Sequence, residues 1–227
     1  MSKIRLSILK GDCMPSNKVS IITRAYNRLD YTIKCINLVK QNTIYPNYEH
    51  LIIDNASTDG TTQWLKWIKA RPNNWFDKVR PVYQDKNHGD WGGMVEGTKH
   101  IADDSRYIVQ LDNDIEVPYE WLTGLIDALT VSGQKVTMLK RTGVQQTLIP
   151  KNIRVYAPFD GGDVDICVAC FAVKTIDFKS VMNKVKRCGE IPKALNSKCF
   201  KITSLTCHQM EGWNGETYIQ HNKYGKG

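Results

Sequence analysis

"YIVQLDNDIEVP", residues 107–118, decides how this chain is read. An apolar run of Tyr107, Ile108, Val109 and Leu111 leads straight into Asp112-Asn113-Asp114, and Pro118 follows. That is the pattern of a buried strand delivered into a polar loop. Carboxylates two residues apart repel each other, so a positive group is expected beside them, and a divalent cation would serve. The plainer reading of the same tripeptide is a turn in which the acids cap the next helix.

The same pattern recurs on the N-terminal side. "KVSIITRAY" is a β-branched strand that gives way to a loop at Asn27-Arg28, and "EHLIIDNASTDGT" is a strand stopping at a polar loop. "VRPVYQDKNHG" reads as strand and loop. Between them lie helical stretches: "DYTIKCINLVKQNT" with Asp30 as N-cap, "TTQWLKWIKA", "GGMVEGTKHIA", and "YEWLTGLIDALTVSG" closed by Gly133. Strand and helix alternate four times, which predicts an α/β fold with a mostly parallel sheet flanked by helices. The second half is less regular. "QKVTMLKRT", "IRVYAPF" and "DVDICVACFAV" read as strands, "DFKSVMNKVKRCG" as a basic amphipathic helix capped by Asp177, and the last stretch as a loop and short helix.

At 227 residues the chain suits one domain with an ample core. No stretch approaches 18 apolar residues, which excludes a spanning helix, and "MSKIRLSILKGDCMPSNK" does not read as a secretory signal. Seven irregularly spaced cysteines read as reduced thiols, so a cytoplasmic protein is expected, able to sit peripherally at a membrane surface. Cys167-x-x-Cys170 lacks a second pair, and buried thiols are expected over zinc. Residues 1–134 carry 16 basic and 16 acidic side chains, whereas residues 135–227 carry 15 and 7, so the whole net charge of +8 lies in the second part. Such a basic half is either a solvated face or a surface for a polyanion.

In open α/β sheets ligands bind beyond the carboxyl ends of the strands. Residues 23–27, 54–59 and 112–114 all lie at such ends, so acids and amides are directed to one rim. Trp91 and Trp213 flank polar loops and are candidates for stacking on a sugar or base, and Trp64 and Trp67 read as packing residues.

"VSIITRAYNR" (19–28), "LIIDNASTDGTTQWL" (51–65), "NHGDWGG" (87–93) and "IVQLDNDIEVPYEWL" (108–122) resemble, in order and spacing, the family-2 glycosyltransferases of GT-A fold. The resemblance is good over residues 19–130 and thin beyond. It implies a single GT-A domain over residues 1–227, with a nucleotide-sugar half (18–133) and a basic acceptor half (134–227). The implied activity is metal-dependent, inverting transfer of a hexosyl group from a nucleoside-diphosphate sugar, UDP-linked above all, to an acceptor hydroxyl. Thr23, Tyr26, Asp54 and Asn87 would bind the nucleotide. Asp114 would hold Mn²⁺ or Mg²⁺, and Asp112 would lie nearer the ribose or a metal-bound water. The base would come from "EGWNGETYIQHNKYG", with Glu216 the candidate and Asp163, Asp165 and Glu211 its rivals; Asp165 is also an acceptor-side candidate beside Trp91 and Trp213. His208 or His221 would complete the metal site, unless each merely caps or faces solvent.

Two departures matter. Where the family has a small residue, Arg and Asn after the "NHGDWGG" block, this chain has Met94, Val95 and Glu96, leaving Lys86 or Lys99 as substitutes. Where two acids are usual, it has Glu216-Thr217. The basic half suggests a polyanionic acceptor, such as a modified DNA base or a lipid-linked glycan. Two other readings stand beside this one: a phosphatase of the haloacid-dehalogenase kind, disfavoured by the three strands before its Asp-x-Asp, and an idle nucleotide- or nucleic-acid-binding module.

Overall fold

A computed structural model describes residues 17–71, 76–142, 161–164 and 169–210. The first half alternates as its sequence predicts: β1 (Lys18–Ala25), α1 (Leu29–Asn42), β2 (Tyr48–Asp54), α2 (Thr61–Lys69), β3 (Val79–Tyr83), α3 (Gly89–Thr98) and β4 (Ser105–Asp112). There follow β5 (Ile115–Glu116), α4 (Trp121–Val131), β6 (Val136–Thr142), β7 (Gly161–Val164), β8 (Cys170–Lys174), α5 (Thr175–Val181), α6 (Ile191–Ala194) and β9 (Cys199–Gln209). The expected strand at residues 153–159 lies outside the described residues.

The nine strands of the described residues form one sheet in the order β3-β2-β1-β4-β8-β6-β9-β5, with β7 also on β9. β1 pairs in parallel with β2 on one side and β4 on the other, and β2 in parallel with β3. β8 is antiparallel to β4 and to β6, and β6 is parallel to β9. Six strands therefore point one way, and only β5, β7 and β8 run against them. Parallel strands covered on both faces need apolar residues at nearly every position. β2 has all seven residues buried, with Tyr48, Leu51, Ile52 and Ile53 apolar and Glu49 and His50 held by hydrogen bonds to Ser20 and Thr23. β3, the edge, is short and carries Pro81, which discourages further pairing.

Two core layers sandwich the sheet. Val19, Ile21, Val109, Leu111, Trp121 and Leu125 pack on one side. Ile22, Ile53, Met94, Ile108, Phe171 and Phe178 pack on the other. α3 lies close enough to the sheet that a Cβ on Gly97 would stand 2.7 Å from Ile22 Cγ2 and 3.1 Å from Ile53 Cγ1. Only glycine allows that approach.

Three local expectations shift. α1 starts after Arg28, and Asp30 lies in its first turn instead of capping it. The Leu29 N–H is instead accepted by Asp59 Oδ2 at 2.9 Å, from the loop after β2. α5 starts at Thr175, so Asp177 is likewise a first-turn acid and not the cap, and the helix ends at Val181. Gly133 does follow α4, in the left-handed conformation expected there. β5 leaves β4 after two residues and pairs with the far end of β9, so the sheet curls back on the Asp112–Asp114 turn.

Candidate active site

Parallel register sets the site. Arg24 pairs with Asp112, and Ala25 with Asp54, so the ends of β1, β2 and β4 are level. The strand order reverses direction about β1, and the crevice at such a point is where α/β sheets bind ligands. Backbone strain gathers there. Asn27 and Arg28 are consecutive left-handed residues, and Ala56 is left-handed in the loop after β2. Ala169, also left-handed, takes the Asp112 N–H on its carbonyl at 2.9 Å. Non-glycine residues hold such angles only where their surroundings over-determine them.

The positive charge sought beside Asp112 and Asp114 comes from arginines. Arg24 Nη2 lies 2.6 Å from Asp112 Oδ1, and its Nη1 lies 3.3 Å from Asp90 Oδ1. Gln110 Nε2 donates to the same Asp112 oxygen at 2.7 Å. Arg28 Nη1 stands 3.3 Å from Asp114 Oδ2, with its guanidinium 4.2 Å from the centre of the Tyr31 ring. Gly93 leaves room for Arg24, since a Cβ there would meet Arg24 Cγ and Cδ at 3.4 Å. Arg24 Nε and Arg28 Nε and Nη2 are buried without a hydrogen-bond partner among the described residues. Buried donors in that state call for a ligand or water.

Burial pushes Asp112 above the ordinary carboxylate range; Arg24 opposes that shift and Asp114 adds to it. For Arg24, burial works against the charge, but Asp112 and Asp90 outweigh it and its pKa is raised. The Cys35 thiol is driven far up by burial and then by the charges of Asp114 and Asp112, so it is no nucleophile. Asp114 is 5 % exposed, and its carbonyl accepts the Met210 N–H at 2.7 Å, which pins the end of β9 beside it.

The other expected residues divide. Asp54 reaches the rim but is 1 % exposed; Oδ1 accepts the Ser57 N–H at 3.0 Å, and Oδ2 accepts the Thr62 hydroxyl. Asn87 braces the adjoining loop, its Oδ1 accepting from Asn55 Nδ2 at 2.6 Å and the Gly89 N–H at 2.8 Å. Thr23 is fully buried and bonds the His50 ring at 2.9 Å, so its side chain does not line the crevice. Strand alternation explains this: Thr23 and Arg24 point to opposite faces, and Arg24 has the one that carries Asp112, Asp90 and Gly93. Tyr26 is half-buried at the loop. Trp91 packs at 5.8 Å on Phe178, which assigns much of its surface to the core.

Among the substitutes for the missing arginine, Lys99 is bonded to Glu96 at 2.6 Å. Asp163 lies in β7, four strand positions across the sheet from β4, or roughly 19 Å at ordinary spacing. Its pairing with Phe200, near the start of β9, sets it back from the rim, which weakens it as a base. His208 stands opposite Glu116, in the strand pair that runs past Asp114. Asp165, Glu211, Trp213, Glu216 and His221 lie outside the described residues.

Sequence reading passed over Arg24, Arg28, Asp90 and Gln110. One signal was available: acids leaving one parallel strand require cations from its neighbour, and "ITRAYNR" supplies two at the exit of β1. A divalent cation also fits the donor set. Asp112 and Asp114 offer hard oxygens, and the charge of Asp114 acts on Asp112 closely enough to raise it further, a repulsion that a shared cation would relieve. Among the described residues no third acid, histidine or cysteine joins them, so a ligand's oxygens would complete the shell.

The family model described as glycosyl transferase family 2 matches residues 20–171. The chain belongs to that family. The comparison covers every segment of the rim, and the GT-A fold expected of the family is the one observed. Glycosyltransferase AglE of Haloferax volcanii is 29 % identical over 123 residues, covering 53 % of this chain and 38 % of AglE. This chain thus spans well under half of the length of AglE. Two solved structures share the fold. The mannosyltransferase PcManGT from Pyrobaculum calidifontis, in complex with GDP-Man and Mn²⁺, has a TM-score of 0.66 and 14 % identity, over 90 % of this chain and 60 % of its own. TarS residues 1–349 of S. aureus, in complex with UDP-GlcNAc, has a TM-score of 0.62 and 16 % identity, over 86 % and 59 %.

Proposed function

We propose that this family-2 chain transfers a hexosyl group from a nucleoside-diphosphate sugar, UDP-linked by expectation, to an acceptor hydroxyl with inversion. One observation carries the reading. The register of β1 against β4 sets Arg24 against Asp112, the turn after β1 brings Arg28 to Asp114, and guanidinium nitrogens of both arginines stay buried without a partner among the described residues. The GDP-Man and Mn²⁺ of PcManGT and the UDP-GlcNAc of TarS support the donor class.

In this reading Arg28 turns its unpartnered nitrogens to the diphosphate, taking the place of the arginine missing after the "NHGDWGG" block. Arg24 opposes the burial-driven rise of Asp112 and holds its carboxylate in place. A Mg²⁺ or Mn²⁺ ion held by Asp114 and Asp112 supplies positive charge against the departing diphosphate when bound. Asp54 and its loop border the nucleobase, with Tyr26 and Asn87 beside it. Glu216 accepts the proton of the attacking hydroxyl, and inversion follows from attack opposite the leaving group. One domain does the work, residues 18–133 binding donor and residues 134–227 receiving acceptor. The charge of the second half favours a polyanionic acceptor, such as a modified DNA base or a lipid-linked glycan.

Calorimetric titration with UDP, GDP, CDP and ADP, each with and without Mn²⁺, tests the donor half. Wild type should bind one of them, with UDP expected, in a metal-dependent way. Asp114→Asn, which keeps the shape and removes the charge, should weaken that binding at least about a hundredfold. Absence of nucleotide binding under every condition would sink the transferase reading.

A further inference from the structure

We infer that the opposite, amino-end edge of the sheet carries a second anion site, built for a phosphate group. A cavity of about 520 Å³ opens there, between the start of β4, the end of β8 and the first turns of α5. β4 is eight residues long, so this edge stands roughly 23 Å from Asp112. It is no part of the crevice described above.

Three cations from three elements line it: Arg106, Lys174 and Lys179. Arg106 is there because β4 is bulged. The register against β1 steps from Ser105 directly to Tyr107, leaving Arg106 unpaired and turned outward. Bulges re-aim a side chain in this way. Lys174 closes β8 opposite Tyr107. Lys179 follows Thr175 by one helical turn and shares its face of α5, whereas Asp177 points to the other side.

None of these three cations has an ion-pair partner among the described residues. Asp104, the acid nearest the start of β4, is already held by Lys18 at 3.5 Å. The Thr175 hydroxyl also lines the cavity, and it is buried without a hydrogen-bond partner among the described residues. Three converging charges and one idle hydroxyl suit a ligand of charge near −2 with several acceptor oxygens, which is a phosphate. Ile176, 76 % exposed, stands beside them. An apolar contact next to a phosphate cradle fits a lipid headgroup at a bilayer surface, and the cradle fits a soluble phosphate compound equally.

Two binding arms separate those sources. One measures flotation of the full chain with phosphatidylcholine vesicles, with and without phosphatidylglycerol; the other measures calorimetric binding of tripolyphosphate. The variants are Arg106→Ala/Lys174→Ala and, for the far rim, Arg28→Ala. Thermal unfolding checks that each is folded. Binding in at least one arm should survive Arg28→Ala and fall about tenfold or more in the Arg106/Lys174 variant. Loss confined to vesicles assigns the site to lipid, with Ile176→Ser then weakening it further, and loss confined to tripolyphosphate assigns it to soluble phosphate. Binding unchanged by the double substitution, or absent from wild type in both arms, would overturn the proposal.

Discussion

The two ends of this sheet handle charge in opposite ways. At the carboxyl end, Arg24, Arg28, Asp90, Asp112 and Asp114 are packed into mutual ion pairs beside strained, left-handed backbone. At the amino end, Arg106, Lys174 and Lys179 stand exposed around a cavity, without ion-pair partners among the described residues. Buried charges must be compensated where they stand, and removing one partner exposes the full cost of desolvating the other. Exposed lysines and arginines carry no such cost. The first region thus couples the proposed donor site to folding, whereas the second is free to change without penalty to the fold.

The sharpest way to break that contrast is Arg24→Ala. Asp112 and Asp90 lose their shared partner, and stability should fall by about 3 kcal/mol, since Asp112 is left uncompensated in a partly buried pair while the exposed Asp90 adds little. In thermal unfolding this is a drop of roughly 6–12 °C. Arg106→Ala and Lys174→Ala should each stay within about 0.5 kcal/mol of wild type. Comparable losses at both ends would erase the distinction.

Gly97→Ala probes the closeness of α3 to the sheet without touching a charge. The new Cβ meets Ile22 and Ile53, and a loss of about 1–3 kcal/mol in denaturant unfolding is expected from overpacking. Because α3 also carries Gly93 against Arg24, nucleotide affinity should fall with it.

A pH series extends the comparison to titratable groups buried between the two ends. Burial holds the His50 ring down to about 3, beside the Thr23 hydroxyl. The unfolded chain takes up a proton near pH 6.5 that the folded chain refuses, so stability is full above that pH and declines as pH falls toward 3. His50→Gln should flatten this limb of the pH–Tm curve, whatever its effect at neutral pH. The smallest effect concerns Asp127, in α4, where burial raises the carboxyl to about 6. Here the folded form holds the proton more tightly, so stability declines as pH rises from about 4 to 6. Asp127→Asn should remove that decline and raise Tm at pH 7 by about 2–4 °C.

Much of the first half was legible because its signals are local. β-branched runs, glycines at loops and four strand–helix alternations prescribe a parallel sheet, and the acids at strand exits name the rim. The failures were also physical. Thr23 and Arg24 are adjacent in a loop-proximal run, and only the pleat tells which of them faces the crevice; Thr23 was assigned to the pocket and is buried against His50. Asp30 and Asp177 have the chemistry of helix caps, yet Asp59 serves α1 from another loop, and α5 begins two residues ahead of Asp177. Arg106 gave no sign, since a bulge is a property of pairing between two strands.

By itself, then, the sequence determined the α/β alternation, the placement of Asp54, Asp112 and Asp114 at strand ends, and membership in a glycosyltransferase family. Those features follow from residue type and short spacing. Tertiary structure alone decided that the partners of Asp112 and Asp114 are Arg24 and Arg28, nearly 90 residues upstream. It also decided that Arg106, Lys174 and Lys179, from three separate elements, meet at the far edge. Charges attract through space and not along the chain, and which of them meet is set by strand register, which no single segment encodes.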